Sequence, residues 1–418
     1  MNLFDVEALR LVEMPSLSRA VTPAGGRKEA VHRWYAMAHG FSPPLVSHFL
    51  DEFGVAEGAV VADPFCGSGT TVVTAQQRGH IALGVDLSPL SILASRVKTS
   101  PHERAELLAL AAAVASWPAE PVALADPSAA AGALQPAVMA ETARILAVVT
   151  STRWSASTRD AGRLALVRAV PSVATKVRKG GWLGYVKPPG TDAPQLLRAG
   201  VQYHLQEMAE DLSVMGERQG CTRTLPAIVA RGDARRLPWR SGSISAIVTS
   251  PPYPNRHDYS RAYGVELAVA LAGPEQLLAF RRQQIHSHPE ASPSREDVSE
   301  FILPSAAEPV IVAAKAQPRG ATRQFIPRLA HGYAVDMWLC LMEIARVLRF
   351  GGLAAIAVGN VSYAGVEYPT DLIVAELAMR AGLAVESIEV ARRRSVSPQQ
   401  VLRTGPGLLR ESVVVLRR

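Results

Sequence analysis

The stretch VVADPFCGSGTTVVTAQQRGH, residues 60–80, decides the fold class, because it reads as a buried strand, a glycine-rich turn and the start of a helix. Gly67 and Gly69 let the backbone approach a ligand closely, and the helix start offers free N–H groups to an anionic group. Asp86 ends the next predicted strand, where an acid can accept hydrogen bonds from both hydroxyls of a ribose. No Lys follows the glycines, which disfavours a phosphate-binding P-loop. The pattern predicts a nucleotide site, with a tight turn lacking any ligand as the alternative.

Outward from this stretch, short apolar runs alternate with helical patterns. Strands are predicted at 60–65, 81–86, 226–233, 244–250, 353–359, 384–391 and 411–418, and helices near 68–78, 90–97, 202–216, 262–272, 334–348 and 370–381. Most of the strands are apolar throughout, which is typical of a parallel sheet covered on both faces. No helix separates the last two strands, so the last strand is predicted to be antiparallel. The fold class is therefore α/β, with a seven-stranded, mostly parallel sheet.

Composition places the chain among ordered globular proteins. It has 418 residues, of which 48% are hydrophobic and 19% charged. The cysteines Cys66, Cys221 and Cys340 lie far apart, so neither a disulfide framework nor a metal cluster is expected. The N-terminus carries acids where a signal peptide would be basic, and no apolar run reaches the roughly 18 residues that cross a bilayer. We expect a soluble, unprocessed cytoplasmic protein with no membrane partner and no metal.

Charge is concentrated in one segment. The chain carries 44 Lys and Arg against 37 Asp and Glu, a formal net charge of +7. Residues 151–200 alone hold nine basic residues against Asp160 and Asp192, an excess equal to that of the whole chain. A local basic excess of this kind favours a polyanionic partner, and nucleic acid is the leading candidate.

A second motif lies at the ends of two later predicted strands. Asp233 ends one of them, where its carboxylate could reach an adenine amino group, and Ser250-Pro251-Pro252-Tyr253 ends the next. Two consecutive prolines donate no backbone N–H, so the Pro251 carbonyl is left as an acceptor and Tyr253 offers a flat ring. This combination is suited to binding an exocyclic amino group. An ordinary Pro-Pro turn is the alternative for the motif taken alone.

Together, DPFCGSGTT (63–71) and TSPPY (249–253) resemble motifs I and IV of the S-adenosylmethionine-dependent amino-methyltransferases that modify DNA at cytosine N4 or adenine N6. The resemblance covers about 30–99 and 226–418 and implies a Rossmann-like class I methyltransferase fold. Residues 32–46 are similar to the family's segment near the methionine end of the cofactor. The family pattern implies that S-adenosylmethionine is bound by Asp63, Phe65, Gly67, Gly69, Thr70, Asp86 and Asp233.

The same comparison divides the chain into three parts. Residues 1–99 are predicted to hold an N-terminal segment and the cofactor-binding half, and 223–418 the catalytic half with a loop excursion at 273–330. The order of these halves departs from the commonest group with TSPPY. The uncovered part, 100–222, is predicted to be a mainly helical insertion that recognises the target, or else a helical cap with a solvated charged face.

Basic and aromatic residues in the insertion, and polar residues after the second motif, are candidates for contacts with nucleic acid. They are Arg153, Lys176, Arg178, Lys179, Trp182, Asn255 and Arg256, with Trp154 and Tyr185 as further candidates for stacking on bases. For Asn255 and Arg256, the alternative is a role in capping the next helix.

The implied reaction is direct methyl transfer to a base amino group. The nucleotide would be flipped out of the duplex to stack on Tyr253, while Ser250 and the Pro251 carbonyl accept hydrogen bonds from the amine. Ser250 stands where many adenine enzymes of the family have Asp, which favours cytosine N4, with adenine N6 next.

Two other functions stay open. RNA guanine-N2 methyltransferases share a similar glycine-rich turn, but they carry Asp before the prolines and a separate N-terminal RNA-binding domain. A catalytically silent nucleic-acid-binding subunit is the other alternative, and the intact residues of both motifs argue against it. For the leading function the partners are DNA and, as a further expectation, a restriction or defence-system protein.

Overall fold

The computed structural model describes residues 9–118, 120–121, 132–179, 182–187, 189–219, 225–270, 274–288, 291, 301–318, 321–395 and 407–418. The strands are β1 (Leu11–Glu13), β2 (Val60–Asp63), β3 (Ile81–Asp86), β4 (Lys176–Lys179), β5 (Trp182–Tyr185), β6 (Ala227–Arg231), β7 (Ile244–Thr249), β8 (Leu348–Gly359), β9 (Val361–Tyr363), β10 (Val366–Tyr368), β11 (Ala384–Ser395) and β12 (Leu408–Arg417).

The main sheet has eight strands in the order β1-β11-β12-β8-β7-β2-β3-β6. Strand β12 is antiparallel to both of its neighbours, and the remaining pairs are parallel. This confirms the predicted parallel sheet with an antiparallel last strand. The strand at Leu11–Glu13 was not predicted, because three residues are too few to show a periodic pattern.

The helices are α1 (Pro43–Glu52), α2 (Thr70–Gln77), α3 (Pro89–Thr99), α4 (Arg104–Ser116), α5 (Pro136–Thr150), α6 (Ala156–Ala169), α7 (Ala193–Gln219), α8 (Tyr259–Ala262), α9 (Gly264–Ala270), α10 (Pro274–Gln283), α11 (Glu308–Ala316), α12 (Ala321–Val347) and α13 (Thr370–Arg380). Short 3₁₀ turns lie at Pro15–Leu17, Gly25–Lys28, His32–Trp34, Val170–Val173 and Ser305–Ala307. None of the described helices is both long and apolar enough to cross a lipid bilayer.

Alternate residues of the central strands belong to different cores. Ile247 of β7 lies in a core with α12 and α13, whereas its neighbours Ala246 and Val248 face a second core with α1 and α2. Because side chains of a strand point alternately to the two faces, this places helices on both sides of the sheet. The arrangement explains why these strands are apolar throughout.

Residues between β3 and β6 form helices α3 to α7 and the hairpin β4–β5. Helices α4 to α7 share one buried core with α3 and with the aromatic residues Trp34 and Tyr35. The Asp211 carboxylate in α7 accepts hydrogen bonds from Trp34 Nε1 (2.8 Å), the Val31 N–H (3.1 Å) and Arg33 Nε (3.1 Å). The inserted helices are therefore anchored to the segment that leads into α1.

The segment 273–330 differs from the predicted loop excursion. Its described residues form α10, α11 and the first turns of α12. The sequence shows no clear helical periodicity here, because α11 buries only Val310 and Ala314, one turn apart. In addition, α12 contains Pro327, and a proline normally ends a helix. Helix α12 therefore begins at Ala321 rather than near 334.

Candidate active site

A cavity of about 270 Å³ lies at the carboxyl ends of β2, β3 and β7. In an open α/β sheet, ligands bind at the point where the strand order reverses, which here falls between β2 and β7. Both sequence motifs reach it. Of the predicted cofactor and catalytic residues, those lining the cavity are Asp63, Phe65, Gly67, Thr70, Asp86, Asp233, Ser250, Pro251, Pro252 and Tyr253.

The glycine turn after β2 has a backbone that other residues tolerate poorly. Gly67 has φ 49° and Gly69 has φ 86°, and a Cβ on Gly69 would lie 2.8 Å from Ser95 Oγ. Ser95 in α3 also donates its hydroxyl to the Gly67 carbonyl at 2.9 Å. Gly69 thus shapes the turn as the N-cap of α2 and does not line the cavity, whereas Gly67 does.

Asp86 holds the turn from the end of β3. One carboxylate oxygen accepts the Gly67 N–H at 2.9 Å, and the other accepts the Ser88 N–H at 2.8 Å. Burial raises the pKa of Asp86, and these backbone hydrogen bonds oppose the increase. Each carboxylate oxygen has two lone pairs, so capacity remains at the cavity wall for ribose hydroxyls.

Asp63 joins the two motifs. Its Oδ1 accepts hydrogen bonds from the Thr249 hydroxyl (2.6 Å) and the Phe65 N–H (3.0 Å). Burial raises the pKa of Asp63 to about 7. Because Thr249 immediately precedes Ser250, this contact fixes the start of the second motif against the end of β2.

Asp233 lines the cavity but is already engaged in an ion pair. Its carboxylate binds Arg235 through Nε (3.0 Å) and Nη2 (2.7 Å), and Arg235 also reaches Asp336 at 2.8 Å. Burial raises the pKa of Asp336, and the Arg235 guanidinium opposes that rise. The contacts with Arg235 fix the orientation of the Asp233 carboxylate and leave a lone pair available for an amino group.

In the second motif, the Tyr253 ring packs closely on the end of β8. A Cβ on Gly359 would lie 2.8 Å from Tyr253 Cε2, so the ring occupies space that another residue there would fill. Burial and the neighbouring Glu411 raise the pKa of Tyr253 to about 12, while a hydrogen bond with Ser250 opposes the increase. The phenol is neutral at pH 7.

Several cavity residues were not predicted. Lys98 in α3 is buried and donates from Nζ to the Tyr35 carbonyl (2.6 Å) and the Ser68 carbonyl (2.8 Å). Burial lowers its pKa to about 7. Arg392 and Glu411 reach the cavity from β11 and β12. Lys98 and Glu411 belong to no sequence motif, and residues 392–398 are typical of a solvated turn, with a phosphate contact as the alternative.

Residues 32–46, which resemble the segment near the methionine end, also line the cavity through His32, Met37, His39 and Phe41. His39 Nε2 lies 3.0 Å from His257 Nδ1. Burial lowers the pKa of His39 to about 4 and also lowers that of His257, so one proton can be shared between two neutral rings.

The predicted nucleic-acid contacts fall at several places. Lys176 Nζ lies 4.8 Å from the Tyr185 ring centroid, and the Arg178 guanidinium lies 4.4 Å from that of Tyr263, a cavity residue. Arg153 stacks on Trp117 and Trp154, away from the cavity residues. The side chains of Lys179 and Trp182 lie outside the described residues.

Three of the predicted contact residues have partners within the protein. Trp154 is 5% exposed and donates its Nε1–H to the Val148 carbonyl, so it is not available to stack on a base. Asn255 accepts the His257 N–H at 3.1 Å, and Arg256 lies over the rings of Phe325 and Tyr363. Neither Asn255 nor Arg256 lines the cavity.

Away from the cavity, His48, Glu52 and Glu389 place one potential metal ligand each within 4.8 Å of one another. His48 and Glu52 pair directly at 3.1 Å, one helical turn apart. That pairing accounts for their closeness without an ion.

The cavity residues fit S-adenosylmethionine. Asp86 offers acceptors for a ribose, Asp233 an acceptor for an adenine amino group, and the Gly67 turn a close backbone approach. Lys98 has no acidic partner among the described residues, and a carboxylate in the cavity would find its ammonium at the wall. The fold and the cavity residues are those that the sequence resemblance predicts for an S-adenosylmethionine-dependent methyltransferase of the Rossmann-like class.

The chain is similar to known proteins in sequence and in structure. The chain is 22% identical to the type II methyltransferase M.BsoBI of Geobacillus stearothermophilus, over 95% of this chain and 87% of that protein. It is 24% identical to M.AvaI of a Nostoc species, over 99% of this chain and 91% of that protein. Among solved structures, TrmN from Thermus thermophilus is 13% identical with a TM-score of 0.31, covering 96% of this chain and 53% of that one. No family model matches the chain.

Proposed function

We propose that the protein is a site-specific DNA methyltransferase that modifies an exocyclic amino group, with cytosine N4 favoured over adenine N6. The observation that carries the proposal is the meeting of Asp86, Asp63 and Ser250 in one cavity, through the Thr249–Asp63 hydrogen bond. The type II methyltransferases that resemble the chain over nearly its whole length support DNA as the substrate.

The cofactor would occupy the part of the cavity formed by the ends of β2, β3 and β6. Asp63, Phe65, Gly67 and Thr70 would surround its methionine part, with Asp86 at the ribose and Asp233 at the adenine, and Gly69 would keep the turn in shape. When bound, S-adenosylmethionine supplies an electrophilic methyl group on a positively charged sulfur.

The chain's own residues position the base. A base inside a duplex is inaccessible, so the nucleotide is flipped into the cavity, where Tyr253 offers its ring for stacking. The Ser250 hydroxyl and the Pro251 carbonyl accept hydrogen bonds from the amino group and orientate its nitrogen lone pair. These bonds strengthen as the nitrogen becomes positive, so they favour the transition state over the ground state.

The choice of base rests on the first residue of the motif. Ser250 is a neutral acceptor where many adenine enzymes of the resembling family have Asp, which supports cytosine N4. The Tyr253 ring, whose phenol is neutral at pH 7, can stack on either base, since every base has a π-face.

For target recognition, we propose 100–222, and within it the hairpin β4–β5. Helices α4 to α7 pack into a buried core, whereas the hairpin carries Lys176 and Arg178 and contacts α8 beside the cavity. Lys176 and Arg178 would bind phosphates, while a restriction or defence-system protein would be the functional partner of the enzyme.

The test is incubation of purified protein with labelled S-adenosylmethionine and unmethylated genomic DNA, followed by digestion to nucleosides and mass spectrometry. The expected product is deoxycytidine with one added methyl group at N4. Label that enters RNA but not DNA would contradict the proposal, and so would DNA that stays unlabelled while the protein binds the cofactor.

The Ser250→Ala variant tests the assigned role of the hydroxyl. A hydrogen bond to a group gaining charge contributes about 1.5–3 kcal/mol, so kcat should fall roughly 10- to 150-fold. Ser243→Ala, which removes an exposed hydroxyl that donates to the Arg240 carbonyl, is the matched control and should keep full activity. Equal rates for both variants would remove Ser250 from the mechanism.

A further inference from the structure

The cavity has a second polar wall that the reaction above does not use. Arg392 in β11 lies opposite Glu411 in β12, and Glu411 lies opposite Gly359 at the end of β8. Both side chains line the cavity together with Ser250 and Tyr253. Glu411 is adjacent to the tyrosine, because a Cβ on Gly359 would lie 2.8 Å from Tyr253 Cε2 and 3.5 Å from Glu411 Cγ.

Glu411 fixes the direction of Arg392. Its carboxylate accepts from Arg392 Nε at 2.5 Å and lies 3.1 Å from Arg394 Nε. The Glu411 side chain is only 12% exposed, so this ion pair is partly desolvated. Arg394 is held further by the Asn360 carbonyl at 2.9 Å. Two guanidinium groups on one carboxylate leave a net positive charge at this wall.

The hydrogen-bonding capacity of Arg392 is not exhausted by Glu411. A guanidinium has five N–H donors in a rigid plane, and Nε–H is the one bonded to Glu411. Within the described part of the chain, the terminal nitrogens of Arg392 have no hydrogen-bond partner. Its side chain is 37% exposed, which leaves these donors accessible from the cavity.

The bases differ in what they offer to two parallel donors. Cytosine presents adjacent acceptors, N3 and O2, next to its amino group. On the same Watson–Crick edge, adenine presents the single acceptor N1 beside a C–H, thymine presents an N–H between two carbonyls, and guanine presents N–H donors beside one carbonyl. A bidentate guanidinium therefore matches this edge of cytosine, whereas adenine would accept only one of the two donors.

We propose that Arg392, orientated by Glu411, binds the flipped target base by donating from its terminal nitrogens to N3 and O2 of cytosine. Arg392 is then the residue that selects cytosine, and Glu411 is a positioning residue. This inference rests on the proposed function and gives the base preference a second basis, independent of Ser250.

The experiment measures binding to DNA rather than turnover. Once the methylated sequence has been read from modified DNA, dissociation constants are measured in the presence of S-adenosylhomocysteine. Two duplexes are used, one with the target cytosine and one with an abasic site at that position. The ratio of the two constants isolates the contribution of the base, because phosphate contacts are common to both duplexes.

For Arg392→Gln we expect the affinity for the cytosine duplex to fall at least tenfold relative to the abasic duplex. Arg392→Lys keeps the charge and the stem but loses the bidentate pair, so it should show the same loss in this ratio. Glu411→Gln should show a smaller loss, since the guanidinium remains but is less well orientated. Arg393→Gln is the matched control, because Arg393 pairs with Glu13 instead, and its ratio should not change.

The outcomes separate this inference from the proposed function. Equal losses on the two duplexes would make Arg392 a phosphate contact and overturn the inference while leaving DNA methylation intact. Methylation of adenine by the wild-type protein would also overturn it, without affecting the reaction class. If the wild-type protein neither binds nor methylates DNA, the proposed function fails and the inference fails with it.

Discussion

Replacing Gly69 by Ala should destabilise the protein through two separable effects. The first is backbone strain, since at φ 86° a residue with a Cβ costs about 1–2 kcal/mol. The second is crowding, because the new Cβ would lie 2.8 Å from Ser95 Oγ and 3.1 Å from Ser95 Cα. The Cα belongs to the backbone of α3 and cannot rotate away, so overpacking should add about 1–3 kcal/mol.

Gly382 provides the matched control for this experiment. It has φ 84°, and among the described residues no atom beyond its own chain neighbours lies within 4 Å of the position that its Cβ would take. Gly382→Ala therefore incurs only the backbone strain, about 1–2 kcal/mol, whereas Gly69→Ala should lose about 2–5 kcal/mol. The free energy of unfolding is measured by urea denaturation followed by circular dichroism, with all proteins free of cofactor.

The same pair should differ in cofactor binding. Displacement of the turn moves the Gly67 N–H away from Asp86, so Gly69→Ala should weaken binding of S-adenosylmethionine by about tenfold, equivalent to about 1.4 kcal/mol. Gly382→Ala should leave the affinity unchanged in calorimetric titration. Equal losses of stability in the two variants, or an unchanged affinity in Gly69→Ala, would refute the contact with Ser95 as the reason for glycine.

Two further predictions concern buried carboxylates. Burial raises the pKa of Asp63 to about 7, so between about pH 4 and 7 the unfolded state loses this proton while the folded state keeps it. The wild type should therefore lose stability relative to Asp63→Asn as pH rises through that range, and a stability gap independent of pH in denaturation curves would contradict the assignment. Asp211→Ala leaves Arg33 and Trp34 Nε1 without their acceptor and should cost about 3–5 kcal/mol, whereas exposed Glu210→Ala should cost under about 0.5 kcal/mol; similar melting temperatures for the two would refute the anchoring role.

Seven of the eight strands of the main sheet, and both motifs, could be predicted from sequence because their signals are local. The strand Ile81–Asp86 has the predicted bounds, and its final acid sits where the chain turns toward the cavity. Lys98, Arg392 and Glu411 could not be predicted, because each reaches the cavity only through packing of α3 or pairing of β11 with β12. Composition does not identify the residues that could stack on bases, because a buried tryptophan such as Trp154 and an accessible aromatic residue look the same in a basic segment of sequence.

The topology explains how a long insertion can interrupt the chain without disturbing the two sequence motifs. The insertion connects β3 to β6, and β6 is the edge strand of the sheet, whereas β2 and β7, which end in the two motifs, are paired in the middle. A connection to an edge strand can grow outward at little cost to the inner pairs, because loop closure becomes only slowly more expensive with length. The inserted helices then pack against α3, the helix that holds Lys98 and Ser95 at the cofactor turn. The insertion is therefore packed against the helix that contacts the glycine turn, and the order of the halves along the chain leaves the pairing of β2 with β7 unchanged.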